Sequence, residues 1–221
     1  MTQFEHEAPQ AILRWAVENF GDRLAVVTSF QPTGIATIHM LNEITDHFNV
    51  VTLDTGLLFP ETYQLMDDVE ALFPSMNLIR VKPEYTIEEQ REKYGGVDLW
   101  QENPNLCCNI RKVIPLDNEL KNYDAWITGL RRDQSSTRAD TPIVSKDRKR
   151  PHMTKICPFA TWTAEMLEIY IQAHELPYNA LHDQGYTSIG CYPCTRAIEP
   201  GEDVRAGRWA NSNKIECGIH Q

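Results

Sequence analysis

Short apolar runs alternating with helical patterns constrain the fold of this chain more than any other feature. LAVVTS (24–29), NVVTLD (49–54), NLIRVK (77–82) and AWITGL (125–130) read as strands. Before and between them, PQAILRWAVENF (9–20), GIATIHMLNEI (34–44), PETYQLMDDVEALF (60–73) and CCNIRKVIPLDNELK (107–121) read as helices, with Pro115 marking a kink or break. Alternation of this kind predicts an α/β fold with a mainly parallel sheet flanked by helices. Residues 131–155 are polar, basic and aperiodic, and read as a long surface loop. TWTAEMLEIYIQAH (161–174) restores an amphipathic helix, and past Leu176 the segments are short and loop-like. With no internal repeat and no dividing linker, 221 residues are expected to form a single domain, 1–221, whose last stretch, about 200–221, is a mobile tail.

The formal net charge of −10 disfavours nucleic acid and acidic membranes, which attract a positive field. Yet seven of the 21 Lys and Arg residues fall between Arg131 and Arg150, which suggests a local anion site. MTQFEHEAPQ lacks the basic start of a secretory signal, and no apolar stretch nears the roughly 18 residues needed to span a bilayer. The expected place is the cytoplasm, where close-set cysteines bind metal or carry out redox chemistry more often than they form structural disulfides.

Three motifs begin at strand ends, where open α/β sheets bind their ligands. SFQPTG, with Ser29, Phe30, Thr33 and Gly34, leads into a helix whose first N–H groups can cradle an anion, although it lacks the Lys of a Walker loop. LDTGLLFPET offers Asp54 and Thr55 as hydrogen-bond partners after Leu53, and Gly56 for close backbone approach. GLRRDQSSTR places Arg131, Arg132 and Arg138 after Gly129, and planar guanidinium groups recognise phosphate and sulfate with paired hydrogen bonds. Singly, these are an ordinary strand–helix turn, a chance tripeptide and a solvated basic loop. Jointly they favour anion binding.

The six cysteines carry the sharper chemistry. Cys107–Cys108 and Cys191-Tyr-Pro-Cys194 supply four thiolates, the number that closes a tetrahedral metal or iron–sulfur site. Adjacent cysteines strain such a site, the spacing matches neither ferredoxins nor a zinc ribbon, and the second pair also reads as a thioredoxin-like redox motif. Lys112 lies four residues after Cys108, on the same face if the segment is helical. Cys217, in Glu-Cys-Gly-Ile-His, sits where a chain is usually mobile, which suits a thiol that must reach two partners in turn. Arg205 and Arg208 precede it and His220 follows; nearby positive charge populates the nucleophilic thiolate. Cys157 reads as a buried small hydrophobe.

SFQPTG, LDTGLLFPET, GLRRDQSSTR, the CC-x-x-RK run, GCYPCTR, EDVRAGRW and the terminal ECGIH together resemble the assimilatory adenylyl-sulfate (APS) reductases, the cluster-containing branch of the PAPS reductase family. The resemblance runs in order from residue 24 to 220. It implies an adenine-nucleotide α-hydrolase-like (PP-loop-like) fold and a [4Fe–4S] cluster on Cys107, Cys108, Cys191 and Cys194. It further implies reduction of adenosine 5′-phosphosulfate to sulfite and AMP through an S-sulfocysteine on Cys217, with thioredoxin or glutaredoxin as reductant. Lys112, Arg205 and Arg208 would neutralise the sulfonate, and the three strand-end motifs would hold the nucleotide. Homo-oligomerisation is left open. Three alternatives stand beside it: a reductase preferring 3′-phosphoadenosine 5′-phosphosulfate, a PP-loop sulfurtransferase or tRNA-thiolating enzyme, and a non-enzymatic iron–sulfur or zinc redox protein. The absent SGGxDS pattern and acidic charge count against the second, and ECGIH against the third.

Overall fold

The structure, a computed structural model, describes residues 4–210, 214 and 216–219. The chain, read from sequence as one domain, packs as two compact units. One comprises residues 1–52, 64–79 and 120–179; the other comprises 53–63, 80–119 and 180–221. Because the backbone passes repeatedly from one to the other, no single linker marks the division in sequence.

The first unit is built on a six-stranded sheet in the order β3-β2-β1-β4-β6-β5. Its strands are β1 (Leu24–Val27), β2 (Phe48–Leu53), β3 (Met76–Val81), β4 (Ala125–Thr128), β5 (Val144–Lys146) and β6 (Thr154–Ile156). β1 runs parallel to β2 and to β4, β4 runs parallel to β6, and β5 pairs antiparallel with β6. Ala25, Val50, Val51, Ala125 and Ile127 are fully buried, so these strands are apolar on both faces, as expected for a covered parallel sheet. α1 (Pro9–Phe20) buries Ile12, Leu13 and Ala16 at i, i+1 and i+4, and each large side chain buried this way contributes about 1.5–3 kcal/mol. α2 (Pro32–Asn42) starts two residues before its expected beginning, because Pro32 has a φ suited to the first helical turn. α3 (Pro60–Leu72) and α8 (Ala164–Ala173) also stand close to their expected places.

The 131–155 segment is not a plain loop. It contains two short 3-10 turns and the β5–β6 hairpin, which extends the sheet at its edge. Strands of three residues are too short for period-two patterning to show. The hairpin turn is fixed by Asp147, whose Oδ1 accepts from the N–H groups of Lys149 and Arg150, while Oδ2 accepts from Trp126 Nε1 at 2.9 Å. Buried Arg150 pairs with the same carboxylate at 3.3 Å. Four of the seven clustered basic residues, Lys146, Arg148, Lys149 and Arg150, therefore belong to this hairpin.

The second unit contains α4 (Ile87–Lys93), α5 (Leu99–Glu102) and α6 (Pro104–Cys108). A π-helical segment, Asn109–Val113, then leads into α7 (Ile114–Glu119). The helix expected over 107–121 is thus broken into the end of α6, the π segment, α7 and a 3-10 turn at Leu120–Asn122. Among the described residues no helix is long and apolar enough to cross a membrane.

Candidate active site and cysteine pocket

In the first unit the strand order reverses between β1 and β4, and the loops following these two strands converge there. Thr128 N-terminally flanks Gly129 and pairs with Val27. Arg131 Nη1 donates to Thr33 Oγ1 at 3.0 Å, and a Cβ on Gly129 would meet Thr33 at 3.0 Å. Gly34 is equally committed, since a Cβ there would overlap the Thr28 side chain. Phe30 turns the loop with φ of 55° while its ring is fully buried, and its N–H donates to Thr28 Oγ1 at 3.0 Å. A non-glycine residue in that region costs about 1–2 kcal/mol, which burial of the ring offsets. Ser29 is exposed beside it.

The arginines of this region have protein partners. Arg131 is buried and pairs with Asp133 at 3.0 Å. Arg132 makes a two-pronged contact with Glu5 at 2.9 and 2.8 Å and donates to Thr141 O. Arg138 Nη1 donates to Gln134 Oε1 at 2.5 Å.

In the second unit Asp54 closes a tight turn, its Oδ1 accepting from Gly56 N at 3.0 Å and from Tyr63 OH at 2.6 Å. Burial and the Asp54 carboxylate push the Tyr63 phenol up from its ordinary value. Leu53 is half-buried, whereas Thr55 is wholly buried and turns its hydroxyl to Cys191 Sγ at 3.3 Å. Gly56 has φ of 69°, and a Cβ there would lie 3.2 Å from Arg111 Nη2.

All four paired cysteines line one small pocket, with a cavity volume of about 10 Å³, together with Leu57, Trp100 and Trp209. Asn103 caps α6, accepting from Leu106 N at 3.0 Å, and Pro104 opens the helix. Successive residues on an α-helix point about 100° apart, so tandem cysteines diverge. The π segment begins immediately after Cys108, and wide turns of this type recur at functional sites. On the other side, Cys191 bridges Leu58, Tyr192 N donates to Leu57 O at 2.8 Å, and a 3-10 turn brings Cys194 back toward Cys191. Cys107, Cys108 and Cys191 are each 7% exposed; Cys194 is half-buried. Burial pushes the Cys107 thiol up to about 12.

Cations surround the pocket. Arg111, missed as a site residue although it adjoins Lys112, is buried and held by Thr55 O at 2.6 Å and Gln90 Oε1 at 3.0 Å. Burial alone would lower the Lys112 ammonium, but the neighbouring sulfurs of Cys191, Cys217 and Cys108 outweigh it and hold the group above its ordinary value. Burial lowers Arg208, opposed by the same thiols and Cys194. Arg208 lies along the 188–190 backbone, donating to Ser188 Oγ at 3.2 Å, and a Cβ on Gly190 would overlap its guanidinium. Among the described residues its buried Nε meets no acceptor. Trp209, with φ of 51°, is anchored by donation of its N–H to Cys194 O at 2.9 Å and packs beneath Arg208 at 4.5 Å.

The Cys217 thiol is hydrogen-bonded with Cys108. That bond, the Lys112 charge and the Ile219 N–H outweigh burial and hold it below its ordinary value. The same bond raises the Cys108 thiol, so of the two it is Cys217 whose thiolate is favoured. His220 lies outside the described residues. Cys157 is buried, 1% exposed.

A profile of the phosphoadenosine phosphosulfate reductase domain matches residues 23–197, most of the chain. The chain belongs to that family. Membership makes it an oxidoreductase acting on a sulfur group. It is 49% identical over 210 residues to an adenosine 5′-phosphosulfate reductase of Halalkalibacterium halodurans, covering 95% of this chain and 90% of the relative. A solved phosphoadenylyl-sulfate reductase from Candida auris, a phosphate complex, is similar at a TM-score of 0.74 and 30% identity over 87% of this chain and 91% of that one. Candida glabrata FMN adenylyltransferase, at 13% identity and a TM-score of 0.60 over 97% of this chain and 72% of its own, shares the fold. The adenine-nucleotide α-hydrolase-like architecture follows from these neighbours and the sheet order.

Proposed function

We propose that this chain reduces adenosine 5′-phosphosulfate to sulfite and AMP, with a dithiol protein of the thioredoxin or glutaredoxin type as electron donor. The observation that carries the reading is the setting of Cys217, whose thiol is hydrogen-bonded with Cys108 and lies beside Lys112, both of which favour its thiolate. Such a nucleophile attacks the sulfonyl sulfur; the S–O bond to the phosphate breaks, an S–S bond forms, and AMP leaves with the electron pair. Lys112, Arg205 and Arg208 screen the sulfonate oxygens so that two anions can approach. Within the first unit the nucleotide draws on the Ser29–Gly34 turn with Gly129 and Arg131. A thiolate of the donor then attacks Cys217 sulfur and expels sulfite. Its second thiol resolves the mixed disulfide, so the two electrons come from one dithiol. That exchange needs the tail to leave its docked position, and a reducing compartment such as the cytoplasm.

The donor set suits a cysteine-held cluster. Four thiols line one apolar pocket ringed by Arg111, Lys112 and Arg208, and a buried hydroxyl faces Cys191. Among the described residues no three His, Cys, Asp or Glu groups are placed to hold a metal ion, so the support lies in the thiols and the charges around them. Cys107, Cys108, Cys191 and Cys194 would hold a [4Fe–4S] cluster, which when bound supplies a fixed charge that organises the site without cycling. The relatives named for the substrate lacking a 3′-phosphate favour that nucleotide here. The test compares kcat/KM for the two nucleotides, with Cys217→Ser as control. Preference for the form lacking the phosphate and loss of sulfite in the variant are expected; normal turnover by Cys217→Ser contradicts the proposal.

A further inference from the structure

Contacts within the second unit hold the described part of the tail, three of them through side chains of Lys214, Cys217 and Glu216. Lys214 Nζ donates to Asn105 Oδ1 at 2.7 Å on α6, Cys217 bonds Cys108, and Glu216 pairs with Arg205 at 3.3 Å. The third contact differs in kind. Arg205 and Glu216 side chains are only 17% and 16% exposed, so the pair is shielded from solvent screening. Arg205 also sits beside the Trp209 ring, 5.9 Å from its centroid, and its N–H donates to Asp203 at 2.8 Å, which fixes the stem from which the guanidinium reaches. An acidic side chain directly before a nucleophile that must meet an anion is unfavourable on charge grounds unless it has another task.

We infer that Glu216 is a built-in stand-in for the substrate's anion: its carboxylate occupies Arg205 in the docked tail, and the phosphosulfate group displaces it on binding. This rests on the functional reading above and adds to it a positioning residue with a regulatory consequence. Substrate entry exchanges one carboxylate–guanidinium contact for another anion–guanidinium contact, so Arg205 is never left buried and uncompensated. The released Glu216 loosens the tail at the stage when Cys217 must adjust to the sulfur atom. Without substrate, the same pair keeps the thiolate docked.

Binding of adenosine 5′-phosphosulfate is measured by calorimetry in a Cys217→Ser background, which cannot take up the sulfonyl group. Adding Glu216→Gln, close to isosteric but uncharged, is expected to tighten binding about three- to tenfold, the scale of one shielded ion pair. In Arg205→Gln the same change should have no effect. Unchanged or weaker binding in Glu216→Gln, or an equal gain in the Arg205→Gln background, overturns the inference; a merely structural Glu216 would only weaken binding. A second measurement uses the chain with Cys217 intact, where Glu216→Gln should speed carboxymethylation of that thiol several-fold by iodoacetate; an unaltered rate counts against the latch. If the Cys217→Ser protein binds no nucleotide at all, the functional reading itself fails.

Discussion

Cys217 gains its reactivity from neighbours on other segments. The hydrogen bond with Cys108 contributes most while that thiol carries its proton; once Cys108 holds a cluster, the Lys112 charge and the Ile219 N–H remain to favour the thiolate against burial. Iodoacetamide labelling should therefore follow a titration with its midpoint below the ordinary thiol value of about 8.5, and Lys112→Met should move it upward. A midpoint at or above the ordinary value contradicts this electrostatic account. Gly190 acts at one remove, because the absence of a Cβ lets the Arg208 guanidinium lie along the 188–190 backbone. Gly190→Ala should fold yet lose about ten- to a hundredfold in kcat/KM, the cost of misplacing one charge-assisted hydrogen bond. Steady-state kinetics beside a thermal melt separates that loss from unfolding. The cysteine pairs, Lys112 and the tail arginines are legible in sequence because their spacing is local. Arg111 and Glu216 are not, since their partners lie 56 and 11 residues away, and Thr55 is legible without its contact to Cys191, 136 residues on.

Among the elements, the main strands and long helices follow from apolar patterning, which burial enforces. The β5–β6 hairpin does not, because its order comes from Asp147 gathering Trp126, Lys149 and Arg150. α4 could have been found, since Thr86 and Glu89 form a reciprocal capping box. Tandem cysteines read as a strain on a shared metal site, and a π segment follows immediately after them. Within the first unit, α2 packs on α8 through a cluster that titrates. His39 Nδ1 is 2.7 Å from Tyr170 OH, and its ring lies 4.7 Å from His174 and 6.1 Å from Phe73. Burial lowers its affinity for a proton, and His174 adds to this, whereas Glu43 opposes it. The unfolded chain thus binds a proton here more readily than the folded one, so stability is lost as pH falls below about 6.5 toward the folded value. Melting temperature should decline over that range, and His39→Gln should flatten the decline. An equal slope in the variant assigns the effect elsewhere.

At the scale of the whole molecule, strand order and cysteine placement distinguish the two units. The reversal between β1 and β4 supplies a turn suited to a nucleotide, and the second unit concentrates sulfur and positive charge. Sequence alternation made the sheet legible, but repeated crossings of the backbone hid the division into units. Serine in place of Cys107, Cys108, Cys191 or Cys194 should each lower iron content and visible absorbance of the purified protein, while Cys217→Ser retains both. Iron retained by all four variants would contradict the assignment of ligands.

The central claim is tested most directly by incubating the protein with adenosine 5′-phosphosulfate in the absence of any reductant, then mapping the adduct by peptide mass spectrometry. The account predicts one SO3 group on Cys217, formed together with one equivalent of AMP and released as sulfite by a reduced dithiol. An unmodified Cys217, or an adduct on another residue that turns over at the catalytic rate, would contradict it.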